Sequence, residues 1–183
     1  SHSAGNCRDA LKYYDETLVL QDHHESAQLG RTTCLTYLKR QDEAIAAATQ
    51  LIGWNSTKLL EAFYWRAYNH RLQEHLDSAR ADIDASKRHG STSENRTLAG
   101  VIEYEQDDLT PAVDDLNRGW ALSMARSCTA AWYLGLVHIK RDVWADAAGG
   151  FERAMNCYAR NVREDRDSLV AMEQTPDLDP EFR

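Results

Sequence analysis

The sequence has little proline, no long apolar run and no concentrated positive charge. Its 183 residues include three prolines, Pro111, Pro176 and Pro180, and two of these lie among the last eight residues. No apolar stretch approaches the roughly 18–20 residues that a transmembrane helix needs, so we predict no transmembrane segment. The net charge is −8 and the basic residues are dispersed, whereas non-specific nucleic-acid binding requires a concentrated basic surface. We therefore predict no nucleic-acid partner.

The short motifs of common catalytic sites are also missing. The sequence contains no G-x-S-x-G, P-loop, G-x-G-x-x-G or H-E-x-x-H motif, and each of these is the signature of a class of enzyme or nucleotide-binding protein. Carboxylates cluster at residues 103–108 and 162–167, on segments that we expect to be solvated faces and turns. His23, His24 and Glu25 are adjacent, and adjacent turn residues do not converge on a metal ion as an i, i+4 pair does. These features predict a protein without catalytic activity, metal or cofactor.

What the sequence does contain is a repeated register of small and bulky residues. No clean alternation of β-branched residues appears, which favours an all-α chain. Five alanines recur at intervals of 34, 35, 33 and 35 residues, namely Ala10, Ala44, Ala79, Ala112 and Ala147. Small residues lie twelve positions before the last three of these alanines, and bulky residues lie four positions after four of them: Ala67, Gly100 and Gly135, and Tyr14, Ile83, Leu116 and Phe151. The chain therefore consists of repeats of about 34 residues.

This register resembles the tetratricopeptide repeat, a helix–turn–helix unit with small residues where its two helices cross. The resemblance assigns the small residue of helix A to Ala67, Gly100 and Gly135, and the last small residue of helix B to Thr17, Ser86, Gly119 and Ala154. The proline that usually closes each unit is absent, so the repeats are divergent. The resemblance implies a right-handed superhelical solenoid of about four and a half antiparallel helix pairs, which bury their apolar stripes by stacking on one another.

The repeat register also predicts the boundaries of the units. Helices are expected near residues 7–20, 26–39, 42–52, 57–72, 76–88, 92–105, 109–122, 127–140 and 144–160. One continuous domain follows, with a truncated unit at 1–25, a divergent repeat at 26–57, three repeats at 58–91, 92–125 and 126–160, a capping or continued helix at 161–175, and a tail at 176–183. Because the sequence opens in the second helix of a unit, we expect its N-terminal edge to be covered by further chain or by a second copy in a homodimer.

The resemblance further implies that helix A of each unit lines a concave groove where ligands bind. The predicted groove residues are Tyr64, Tyr68, Arg71, Leu72, Val101, Tyr104, Trp132, Leu136 and Ile139. One subclass of the family grips a terminal carboxylate with Lys, Asn and Arg, but the matching positions carry Tyr64, Tyr68, Glu94 and Thr97, so we predict that this clamp is absent. An apolar groove suits a protein or peptide segment, apolar or amphipathic, and we predict a non-catalytic interaction scaffold. The alternatives are a carrier for an apolar small molecule, and packing of these side chains against a preceding helix, the tail or a second copy.

The repeat register also predicts where the histidines and cysteines lie in the fold. His70 and His138 fall where the repeat carries a core residue, so we predict buried histidines with a satisfied ring nitrogen.

Cys128 begins one helix of the last pair and Cys157 ends the other, and these ends meet in an antiparallel hairpin, so a disulfide is geometrically feasible. Cys7 and Cys34 lie on neighbouring helices in the same way. Either these pairs are bonded, which implies an oxidising compartment such as the periplasm or the exterior, or the four cysteines are buried thiols of a cytoplasmic protein.

Overall fold

The chain folds into a line of helices, each packed against its neighbours in sequence. A computed structural model describes residues 2–173, with side chains described from Asn6 to Glu164. This part of the chain contains nine helices and no strand: α1 His2–Leu20, α2 Glu25–Tyr37, α3 Gln41–Gly53, α4 Leu59–Leu72, α5 Leu76–His89, α6 Ser93–Glu105, α7 Leu109–Leu122, α8 Cys128–Lys140 and α9 Trp144–Glu173. Contacts between helices that are not consecutive occur only at the next-but-one level, between α2 and α4, α4 and α6, and α6 and α8 in the described region. The predicted all-α helical solenoid is confirmed.

The same tight turn closes the first helix of each of the four complete pairs. One residue in each turn has a left-handed backbone: Lys39 (φ 60°), Glu74 (φ 61°), Asp107 (φ 63°) and Asp142 (φ 58°). The next N–H donates back to the carbonyl five residues earlier, as from Arg40 to Leu35 and from His75 to His70, both at 2.9 Å. This is the hydrogen-bonding pattern of a Schellman motif, which ends one helix and redirects the chain into the next. The repeated turn makes successive helices antiparallel.

The small residues of the repeat lie where helices come closest together. Ala44, Ala79 and Ala112 are fully buried. A Cβ added to Gly100 would stand 2.5 Å from Cγ of Leu116, and one added to Gly135 would stand 2.7 Å from the Phe151 ring. Larger side chains are excluded at these points because interiors are packed at close to crystal density.

The last helix is longer than the others. Helix α9 has 30 residues, whereas α2 to α8 have 13 or 14. At 1.5 Å per residue it is about 45 Å long, so its second half extends beyond its partner α8. The predicted capping segment is thus a continuation of α9 as far as Glu173, and the predicted tail at 176–183 lies outside the described residues. Within the described residues, no helix combines the length and apolar character that crossing a bilayer requires.

Two disulfides join the helices at the two ends of the line. Cys7 of α1 is bonded to Cys34 of α2, with their Cα atoms 5.0 Å apart. Cys128 of α8 is bonded to Cys157 of α9, with their Cα atoms 5.4 Å apart. The first cross-link joins α1 to the first helix of the following pair, and the second joins the two helices of the last described pair.

A buried network of charges joins α5, α6 and α7. Glu103 is almost completely buried and pairs with Nη2 of Arg80 at 3.1 Å, while Asp115 receives Nζ of Lys87 at 2.7 Å and Nη1 of Arg96 at 2.5 Å. Burial raises the pKa of Glu103 to about 7, and the nearby negative charge of Asp115 adds to the effect. Burial alone would raise the pKa of Asp115, but the hydrogen bonds from Lys87 and Arg96 outweigh it and hold that pKa below its ordinary value.

Candidate functional site: a concave cavity

A cavity of about 830 Å³ opens between α4, α6 and α8, which are alternate helices of the line. The turns that precede α6 and α8 also contribute to its lining. Its lining combines tyrosines, hydroxyl side chains, aliphatic side chains and three charges, including Tyr64, Tyr68, Tyr133, Thr97, Ser127, Val101, Met124, Arg71, Glu94 and Arg126. The site is therefore amphipathic, and more polar than the apolar groove predicted from the sequence.

Aromatic rings form the wall of the cavity on α4. Tyr64 and Tyr68 are one helical turn apart, with ring centroids separated by 6.4 Å and an interplanar angle of 28°. Trp65 meets both rings edge-on, at 5.2 and 5.9 Å, and so restricts their rotation. Burial raises the pKa of Tyr64 to about 12, which keeps its phenol protonated and able to donate a hydrogen bond.

Arg71 is held in place on the same helix. Its Nε and Nη2 atoms donate to the two carboxylate oxygens of Glu105 on α6, at 2.9 and 2.5 Å. The Nη2 atom also lies 3.4 Å from the hydroxyl of Tyr133 on α8. A bidentate Arg–carboxylate pair fixes the guanidinium plane as well as its position. Arg71 therefore connects the three helices that form the cavity.

Hydroxyl groups line the cavity near the starts of α6 and α8, and some of them also cap these helices. Ser127 accepts from the backbone N–H of Ala130 at 3.3 Å and lies 3.1 Å from Oγ1 of Thr97. Ser93 donates to the carbonyl of Gly119 at 2.9 Å. These bonds place the end of α6 against α7 and α8, so the shape of the cavity depends on the stacking of the repeats.

The structure separates the predicted groove residues into two groups. Tyr64, Tyr68, Arg71 and Val101 line the cavity, and Val101 is nearly buried beneath α8. The other five predicted residues are not among the lining residues: Leu72, Tyr104, Trp132, Leu136 and Ile139.

Two of those five have contacts that explain their position. Tyr104 packs edge-on against Tyr133 at 5.4 Å, with Nζ of Lys140 4.3 Å from its ring centroid. Trp132 packs against Phe151 of α9 at 5.0 Å instead of facing the cavity. Tyr133 lines the cavity but is not among the predicted groove residues. It occupies the register position of Leu98, which is not predicted either and also lines the cavity, so the sequence contains no signal for this position.

The histidines do not form a second site. The Nδ1 atoms of His70 and His138 are buried without a hydrogen-bond partner in the described part of the chain, so the prediction of satisfied ring nitrogens is wrong for these atoms. Burial lowers the pKa of His70 despite the carboxylate of Asp82, 3.8 Å from its Nε2, so this ring is neutral near pH 7. His24 caps α2 by accepting from the N–H of Ala27. Among the side chains described, from Asn6 to Glu164, no three His, Cys, Asp or Glu residues are grouped so that they could hold a metal ion.

The fold is similar to those of several solved proteins. No family model and no curated protein sequence matches the chain. MamA from Desulfovibrio magneticus RS-1 aligns with a TM-score of 0.72 at 15% identity, over 85% of this chain and 88% of its own. TTC0263, a tetratricopeptide repeat protein of Thermus thermophilus, aligns with a TM-score of 0.70 at 12% identity, over 93% of both chains. YrrB, a tetratricopeptide repeat protein with an unusual peptide-binding site, aligns at 0.68 and 12%, over 79% of this chain and 74% of its own. The chain therefore has the fold of a tetratricopeptide repeat solenoid, built from repeats that have diverged in sequence.

Proposed function

We propose that the chain is a non-catalytic interaction module that holds a peptide segment of a partner protein in the concave cavity. The observation that carries this proposal is the restrained tyrosine pair, Tyr64 and Tyr68, opposite Tyr133. Tyrosine buries a large contact area at low conformational cost and supplies a hydroxyl for the partner's main chain, which is why it is enriched at binding surfaces.

The charges of the cavity limit which peptide segments can bind there. Arg71 is neutralised by Glu105, so it acts as a fixed hydrogen-bond donor beside the rings. Glu94 and Arg126 supply opposite charges elsewhere in the lining. The segment that fits combines an aromatic or large aliphatic side chain, packed on the tyrosines, with flanking polar residues. The peptide-binding site of YrrB, a protein of the same fold, supports the proposal by analogy.

The proposal can be tested with a displayed library of random peptides. The purified chain should enrich peptides with an aromatic or aliphatic anchor, and fluorescence anisotropy should then show about tenfold or greater weakening in Tyr68→Ala, the cost of losing one well-packed anchor. Tyr13→Ala is the matched control, because Tyr13 is an exposed tyrosine of α1 and does not line the cavity. Equal affinity of a folded Tyr68→Ala variant for the enriched peptides would contradict the proposal.

The size of the cavity favours a second candidate, a carrier for a small molecule. Pockets for such ligands usually measure about 300–1,000 Å³, and this cavity lies within that range. Native mass spectrometry of the chain purified without denaturation would then show a bound mass of a few hundred daltons. That mass should disappear in Tyr68→Ala, whereas the peptide library should give no enrichment.

A further inference from the structure

The last helix pair has an apolar face that no other helix of the described chain covers. Its aromatic and aliphatic side chains come from both α8 and α9 and include Trp132, Leu136, Ile139, Trp144, Phe151, Met155, Tyr158 and Val162, which we call the C-terminal face. Of these, Trp132 is 45% exposed, Trp144 65%, Met155 63% and Val162 68%. Large exposed apolar patches on a folded protein mark interaction sites.

The equivalent face of the preceding repeat shows what kind of element packs on such a surface. One repeat earlier, the positions that precede Leu136, Trp144, Phe151 and Met155 by 35 residues are Val101, Leu109, Leu116 and Trp120. Those four side chains pack against Ala130, Leu134 and Val137 of α8. The C-terminal face therefore has the register of a surface on which a further helix stacks.

A second copy of the chain presents the same apolar face, so two such faces can cover each other.

We propose that the C-terminal faces of two copies of this chain pack together around a two-fold axis. A fully exposed large side chain presents about 150–250 Å², so the exposures of this face correspond to roughly 700 Å² of apolar surface per copy. A stable interface buries about 800 Å² per partner. A two-fold contact brings the same face of each copy together, so one pairing covers both sets of tryptophans.

The geometry of the helices is compatible with this pairing. Helices α8 and α9 lie side by side and are joined by the disulfide of Cys128 and Cys157, so each copy contributes a cross-linked two-helix layer. Two such layers form a four-helix interface that continues the stacking between repeats. The pairing is independent of the concave cavity, because none of the eight side chains of the C-terminal face lines that cavity.

The association state of the full chain tests the proposal. Size-exclusion chromatography with light scattering should give twice the 20.8 kDa of one chain, and sedimentation should give a dissociation constant in the micromolar range or below, as expected for an interface of this size. Met155→Glu and Trp144→Glu should each weaken association by about 30-fold or more, because each buries a charge at the contact. Tyr13→Glu is the matched control, since Tyr13 is equally exposed at the other end of the array.

Far-UV circular dichroism establishes that each variant is folded, which is expected because all three substituted positions are more than half exposed. A monomeric wild-type chain at about 100 µM, well above micromolar dissociation constants, would overturn the proposal. So would a dimer that Tyr13→Glu breaks and Met155→Glu leaves intact, since that result places the contact at the N-terminal edge. Assemblies that grow beyond two copies with concentration would also overturn it, because a two-fold contact closes at the dimer.

Discussion

Gly150 and Gly135 lie so close together that a Cβ added to Gly150 would stand 2.6 Å from the backbone nitrogen of Gly135. The neighbouring atoms are backbone atoms of α8, which cannot move aside as a flexible side chain would. The crossing of α8 and α9 therefore depends on glycine at both positions.

Gly150→Ala should destabilise the last helix pair. Overpacking of this kind costs about 1–3 kcal/mol, more than alanine gains in helix propensity, and urea denaturation followed by circular dichroism measures the difference. Gly149→Ala is the matched control, because its added Cβ meets nothing within 4 Å. That variant should be more stable than the wild type by about 0.5–1 kcal/mol, and equal behaviour of the two variants would contradict the close crossing.

Removal of the disulfide between Cys128 and Cys157 should loosen α8 and α9. For a sequence separation of 29 residues, loop-closure entropy predicts a loss of about 3.5 kcal/mol for the double variant C128S/C157S. Hydrogen exchange resolved by peptide should show faster exchange in α8 and α9 and little change in α4 and α5, because repeat arrays lose stability locally. Uniform acceleration along the chain would contradict the assignment of the cross-link to one terminal pair.

The contribution of Glu103 to stability should fall as the pH rises from about 4.5 to about 7. The pKa of Glu103 is raised to about 7 in the folded chain from an ordinary value of 4.5, so the folded state binds a proton more tightly than the unfolded state in this interval. Linkage then makes ionisation of Glu103 unfavourable for folding, by on the order of 3 kcal/mol at pH 8.

The measurement compares wild type with Glu103→Gln by chemical denaturation between pH 4.5 and 8. The difference in slope isolates the contribution of Glu103, since the other titrating groups are common to both proteins. Parallel pH profiles would show that Glu103 titrates normally. Asp115 has a lowered pKa, so its contribution to stability is lost only below its ordinary value of 3.8.

Asn95→Ala should be among the more damaging polar substitutions. The fully buried Asn95 amide accepts from the N–H of Thr92 at 3.0 Å and donates to the carbonyl of Gly90 at 2.7 Å, so its loss leaves two partly buried backbone groups without these partners. We expect a cost of about 2–3 kcal/mol in the free energy of unfolding. Thr92→Ser keeps the hydroxyl that caps α6 and should cost much less; similar losses in both variants would contradict this account.

The helical repeat could be predicted because small side chains alone fit where helices cross. Ala79, Ala112 and Gly100 recur at intervals fixed by that requirement, and all three are buried. The sequence contains no comparable pattern from which the turns between the helices could be predicted. Their left-handed positions hold Glu74, Asp107 and similar residues instead of glycine, so position in the repeat, and not residue type, determines them.

The cavity could be predicted only in part. Tyr64 and Tyr68 follow from the register of a helix that other helices flank, and they line the cavity as expected for their positions. Trp132 occupies the register position of Tyr64 on α8, where the described chain has no further repeat to enclose it. It packs on Phe151, while Tyr133 lines the cavity. The sequence of one repeat therefore does not indicate which helix packs against it.

The positions of the two disulfides have a mechanical consequence. Neither cross-link spans α3 to α7, so the curvature of that segment depends on non-covalent stacking alone. Small rotations between adjacent pairs change the curvature of a solenoid, and with it the distance between the tyrosines of α4 and Tyr133 of α8. The ends of the array are covalently stiffened, whereas the width of the concave opening remains adjustable to what enters it.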